Sequence, residues 1–223
     1  MKRVEYFTSI AAFGGSSLFW ILVAYFFSAE TYGQAMKVQA VLSLSSSFIA
    51  IRSYDYTFHL IRERGCPAAA SYLSALRIET VLVLAGILIF IGFAVSSWGA
   101  ARLRFIASEF SQILLLATLN FMVPLQGSAQ AYLRHHHAEA RIALADCASA
   151  TGFIAAACWV AFERVSIGDT MLAWLAATAL RPLTLTALSL HHLRQSQAGL
   201  PGIRLHPVNR ASVKYLANGQ LLN

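Results

Sequence analysis

Charge is scarce in this chain: 12% of its 223 residues are Asp, Glu, Lys or Arg, while 57% are hydrophobic and the mean hydropathy is +0.59. A soluble globule of this length cannot bury so much apolar surface, which excludes a water-soluble fold and points to a membrane. Acidic residues are the scarcer sign, 10 against 17 basic, for a net charge of +7. A nucleic-acid footprint would need those Lys and Arg clustered on a solvated face among aromatics. They fall instead between apolar runs, so no nucleic-acid partner is expected. Cysteine is limited to Cys66, Cys147 and Cys158, with no CxxC and no histidine at metal-ligand spacing, which reads as small, reduced core residues. No G-x-S-x-G, Walker A or H-E-x-x-H occurs, so the reading is a non-enzyme with no cofactor. His135, His136 and His137 resemble a metal site, but consecutive residues on a helix point about 100° apart and do not converge on one ion.

What the chain does have is long apolar runs. Six of them, at about 7–28, 36–61, 78–98, 110–133, 142–162 and 170–191, meet the ~20 residues that a spanning helix needs. The first imitates a signal peptide, yet its apolar core exceeds the ~7–15 residues of an h-region and no A-x-A-like site follows, so it is read as a retained span. The connections are short, which implies three helical hairpins in series. The expected fold is an all-α integral membrane protein: a six-helix transmembrane bundle over 1–192, a cytoplasmic linker over 193–210, and over 211–223 the start of a seventh helix with no room to cross. With the N-terminus cytoplasmic, Lys2, Arg3, Arg62, Arg64, Arg134, Arg141, Arg194, Arg204, Arg210 and Lys214 fall inside, against Arg102, Arg104 and Arg164 outside. Trp20, Trp98, Trp159 and Trp174 tend toward span ends, as interfacial anchors or as packed rings.

Charges within the runs are the functional clue, because a charge at bilayer depth costs from roughly 3 to 10 or more kcal/mol and is kept mostly where it lines a polar cavity. Arg52 and Asp55, at i and i+3, share a helix face, with His59 one turn on and Lys37 about 22 Å of rise before Arg52. Two readings stand: snorkelling of Arg52 to the headgroups, or an anion contact in an inward-facing cavity. Arg181 precedes Pro182 deep in the sixth run, where it could meet the same cavity or serve carbonyls freed by the proline. Arg77 and Glu79 open the third run at its mouth, for lipid phosphate or substrate. Pro124, with Asn120, Gln126, Ser128 and Gln130 around it, makes the fourth run a kinked and polar one. Asp146 is expected to pair locally with Arg141, and a proton relay through Asp146 or Asp55 is the lesser alternative.

The segment FSAETYGQAMKVQAVLSL followed by FIAIRSYDYTFHLIRER resembles the first helical hairpin of polysaccharide-biosynthesis flippases of the Wzx type. These belong to the multidrug/oligosaccharidyl-lipid/polysaccharide exporter superfamily. The match is carried by Ser28, Ala29, Glu30, Tyr32 and Gly33 in the first loop and by Ile51, Arg52, Tyr54 and Asp55 in the second span, with Ser53 as an extra residue. AYLRHHHAEARIALADC is similar to the family's turn between the fourth and fifth spans. The resemblance implies one lobe of a two-lobed, MATE-like transporter in the bacterial inner membrane, flipping a lipid-linked (undecaprenyl-pyrophosphate) oligosaccharide by alternating access. It implies pyrophosphate contacts from Arg52 and Arg181, with Lys37 and Arg77 assisting, and an ion-pair partner in Asp55. The implied partners are the lipid-linked oligosaccharide, membrane lipids, and a second lobe or the polysaccharide polymerase machinery. The alternatives are a cation-coupled multidrug exporter of the same superfamily and a non-transporting membrane scaffold.

Overall fold

The apolar runs are helical in a computed structural model of the chain, which describes residues 2–49, 53–96, 110–163 and 166–197. No strand occurs among the described residues. The helices are α1 (Lys2–Phe26), α2 (Ala29–Ile49), α3 (Ser53–Arg62), α4 (Ala68–Val95), α5 (Phe110–Phe121), a 3-10 turn (Val123–Leu125), α6 (Gln126–His135), α7 (Glu139–Glu163) and α8 (Ile167–Gln197). The seventh-helix start, most of the linker, Trp98 and Arg52 lie outside the described residues.

Three described helices, Ala68–Val95, Glu139–Glu163 and Ile167–Ser196, are long and apolar enough to cross a membrane. The other expected spans are helical where they are described. In the first, α1 includes the apolar helical stretch Gly14–Phe26. The second run contributes the serine-rich α2 and the polar α3, SYDYTFHLIR. In the fourth, Pro124 sits in a 3-10 turn between a helix of 12 residues and one of 10, because proline cannot donate to the preceding turn. The kink read from Pro124 is therefore present.

Local chemistry fixes the turns. The α6–α7 turn is a Schellman motif: His137 takes φ 53°, its N–H bonds to the Arg134 carbonyl at 3.1 Å, and the Ala138 N–H bonds to that of Leu133 at 2.9 Å. α8 is N-capped by Ser166, whose Oγ accepts from the Asp169 N–H at 3.2 Å and donates to Asp169 Oδ2 at 2.7 Å.

Helix α1 lies along α7 and α7 along α8, while α3 packs on α6 and α4 on α5. The interior holds two main apolar clusters. One joins Phe19 and Trp20 of α1, Val83 and Phe90 of α4, Leu116 and Phe121 of α5, Phe153 of α7 and Trp174 of α8. The other joins Tyr72 of α4, Tyr132 and Leu133 of α6, Ile142 of α7 and Leu185 and Leu193 of α8. Along α4, α7 and α8 the change from one cluster to the other comes at a charged residue, Glu79, Asp146 and Arg181 respectively. Along the fourth run it comes at the kink. A polar layer thus divides the bundle.

The outward faces are apolar as well. Val81, Leu84, Leu88 and Ile89 of α4 and Leu144, Ile154, Trp159 and Phe162 of α7 are exposed, an arrangement suited to lipid. Cys147 and Cys158 share that outer face of α7, eleven residues or about three turns apart, and both are exposed. All three cysteines are free, but the core position expected for this pair is not what the fold gives them. Trp20 and Trp174 are packed rings with centroids 5.6 Å apart, whereas Trp159 is exposed.

Candidate functional site: a buried polar layer

The layer is organised on the residues that follow the proline kink. Restarting the helix at Gln126 leaves the first backbone N–H groups of α6 without intrahelical acceptors. Glu79 of α4 supplies one from outside: its Oε1 accepts the Ser128 N–H at 3.0 Å and its Oε2 accepts the Ser128 hydroxyl at 2.5 Å. The Ser53 side chain, at the start of α3, also hydrogen-bonds this carboxylate. Glu79 is 0% exposed, so a carboxyl group with no access to water is held by partners from two neighbouring helices. The positive end of the α6 dipole favours a carboxylate there.

Gly127 makes the approach possible. A Cβ at this position would collide with Ser53 Oγ and stand 3.1 Å from the Tyr54 backbone N and 3.3 Å from Glu79 Oε1. Gly127→Ala is therefore expected to separate α3 from α6 and lower stability by about 1–3 kcal/mol, the usual scale of overpacking. Thermal melting in detergent is the check, and an unchanged midpoint would count against this packing.

One turn of the layer away, Arg181 of α8 donates from Nε to Asp146 Oδ1 of α7 at 2.6 Å and from Nη1 to Gln126 Oε1 of α6 at 2.5 Å. Asp146 is 1% exposed and the Arg181 side chain 24%. The pair corrects two sequence expectations. Asp146 does not take Arg141 as its partner, since five residues on a helix turn the two side chains about 140° apart. Arg181 bonds side chains rather than the carbonyls loosened by Pro182, and the Ala177 carbonyl in that region accepts instead from Ser149 Oγ at 3.4 Å. Pro182 itself is buried within α8.

The remaining expected site residues are spread out. Arg52 lies outside the described residues, and Asp55 is half-buried on α3. Lys37 and Arg77 are exposed on α2 and α4. Glu79 is not at a mouth: α4 begins at Ala68, ten residues before the apolar run, so Glu79 lies well inside the helix and about 200° around it from Arg77. His59 stands 2.6 Å from Glu63 at the end of α3. The two functional candidates that sequence reasoning underrated are Glu79 and Gln126; the signal available was a carboxylate and an amide in segments otherwise poor in charge.

Among the described residues no group of His, Cys, Asp or Glu is arranged to hold a metal ion. The fold and the layer define a helical protein with three membrane-length helices and a buried, charged midsection. Compared with known proteins, the chain matches no family model, no curated protein and no solved structure.

Proposed function

We propose that the chain is one lobe of a bacterial inner-membrane transporter that flips a lipid-linked oligosaccharide during surface polysaccharide biosynthesis. The observation that carries the reading is Arg181, a guanidinium kept partly accessible at the level where the bundle turns from one apolar cluster to the other. Such a charge is costly in a membrane and is retained mostly for a pathway or an ion. Asp146 and Gln126 each bind one edge of the guanidinium, which fixes its orientation toward an anionic group in the planar manner that suits phosphate oxygens. In this reading Arg52 supplies the second cationic contact, Lys37 and Arg77 attract the headgroup at the approaches, and the kink at Pro124 lets α5 and α6 move against each other as the lobes rock. The reading calls for a partner, a facing lobe or the polymerase machinery.

The test is export in cells carrying Arg52→Ala or Arg181→Ala in the chromosomal copy. Surface polysaccharide is expected to fall at least about tenfold in each, on the scale of one lost charge-assisted contact, while Arg52→Lys keeps part of it. Normal export by stably inserted Arg52→Ala and Arg181→Ala proteins would refute the cationic pathway. One observation favours a second reading, a non-transporting scaffold: Arg181 already has both a carboxylate and an amide partner, which makes it electrostatically self-sufficient.

A further inference from the structure

The pairing of Asp146 with Arg181 has a consequence at the other end of α7. Arg141, one turn into that helix, is left without a carboxylate among the described residues. Its Nη2 donates to Gln195 Oε1 of α8 at 3.3 Å, a neutral acceptor, and its Nη1 is shielded from solvent with no hydrogen-bond partner. A guanidinium that has lost water on one nitrogen and gained nothing there is costly unless an acceptor arrives.

The charge of Arg141 acts on His192 and on Tyr132, and further histidines pack against these two. His136 caps α6 and its ring centroid lies 5.0 Å from that of His192 on α8. His192 Nδ1 is 3.3 Å from the Tyr132 hydroxyl, and His136 packs edge-on to Tyr132 at 4.7 Å. His135 packs on His136 at 5.1 Å, His137 holds the turn, and His191 is 3.0 Å from Gln195. Arg134 faces away, over the Tyr54 ring of α3, and Arg194 is exposed on α8. The acids of the neighbouring helices are engaged elsewhere, Asp146 by Arg181 and Glu63 by His59; Glu139, the first residue of α7, is the acid that shares this end.

We propose that Arg141, His136 and His192 form a binding site for a tetrahedral oxyanion of the phosphate class, with the Tyr132 hydroxyl as a further donor. Entry of the anion displaces Gln195 from Arg141 and satisfies the orphaned Nη1. The site does not rest on the transport reading, because it lies across the second apolar cluster from Arg181. It is proton-linked. Partial burial, followed by the neighbouring His192, His135 and His137, holds the His136 imidazole below the usual histidine range. At neutral pH this ring is uncharged and the site contributes chiefly Arg141. A bound anion favours the imidazolium, so binding takes up a proton and affinity rises as pH falls.

The experiment uses the whole chain in nanodiscs of zwitterionic lipid, titrated calorimetrically with sulfate, whose charge is constant between pH 6.0 and 7.5. Binding is expected to be about tenfold tighter at pH 6.0 than at 7.5 and to weaken about tenfold or more in Arg141→Gln, the scale of one hydrogen bond to a charged group. Arg141→Lys keeps part of the affinity, and Arg62→Gln, whose guanidinium lies over Phe58 on α3, leaves it unchanged. Pyrophosphate and phosphatidylglycerol distinguish the source. Competition by phosphatidylglycerol placed in the disc assigns the site to a lipid headgroup, and tight pyrophosphate binding without that competition assigns it to a soluble phosphate compound. Should sulfate, pyrophosphate and phosphatidylglycerol all fail to bind, or bind equally to folded Arg141→Gln protein, the site does not exist.

Discussion

Arg181→Ala is expected to destabilise the protein by about 3–5 kcal/mol, the cost of leaving a buried carboxylate without its cation. Asp146 is all but inaccessible to water, and Arg181 forms an ion pair with it at 2.6 Å. The same substitution frees Gln126 at the first position of α6, so the damage spreads to the helix that also carries Ser128. The double variant Arg181→Leu with Asp146→Leu removes both charges together and is expected to recover a large part of the loss, since apolar replacements of a buried pair are often neutral or better. Thermal melting in one detergent across the four proteins of the cycle measures the coupling. Additive losses would mean that the two side chains act independently, contrary to the geometry. The cycle also separates stability from transport: a double variant that is stable yet exports nothing shows that the charge is needed for more than folding.

How far the sequence could lead is clear from particular residues. Long helices, the break at Pro124 and the absence of disulfides follow from hydropathy, from the missing proline N–H and from cysteine spacing, all of which are local properties. The start of α4 was hidden because AAASYLSALR is rich in good helix formers but too polar for a hydropathy criterion. That misplaced Glu79 at a membrane mouth, when eleven residues of helix precede it. The Arg141–Asp146 pairing was refutable on helical geometry alone, since i and i+5 do not share a face. Its replacement was not legible: Arg181 and Asp146 lie 35 residues apart, and only the packing of α7 on α8 brings them together. The outward position of Cys147 and Cys158 was equally hidden, because in a membrane both faces of a helix are apolar and hydrophobicity no longer reports burial.

Glu79 offers the sharper test of what the layer is for. Glu79→Ala leaves the Ser128 N–H, the Ser128 hydroxyl and the Ser53 hydroxyl without their acceptor in a region closed to water. At about 1–3 kcal/mol for each buried group left unpaired, a loss of at least 3 kcal/mol is expected, and α3 and α4 should lose their attachment to α6. Glu79→Gln behaves differently. Its carbonyl oxygen still accepts the Ser128 N–H, and its NH2 donates to a serine hydroxyl, which accepts as readily as it donates. Stability is expected to return to within about 1 kcal/mol of the parent, because the substitution conserves shape and exchanges one satisfied network for another. A glutamine variant as unstable as the alanine one would show that the negative charge itself, facing the N-terminal end of α6, holds the layer together. A glutamine variant with full stability leaves the charge unexplained by folding, and export then decides its use. If Glu79→Gln exports normally, the carboxylate serves as a hydrogen-bond acceptor and the layer as architecture. Loss of export from a stable Glu79→Gln protein would instead require a charge or a proton at this point of the bundle during transport, and would place Glu79 beside Arg181 in the working part of the molecule.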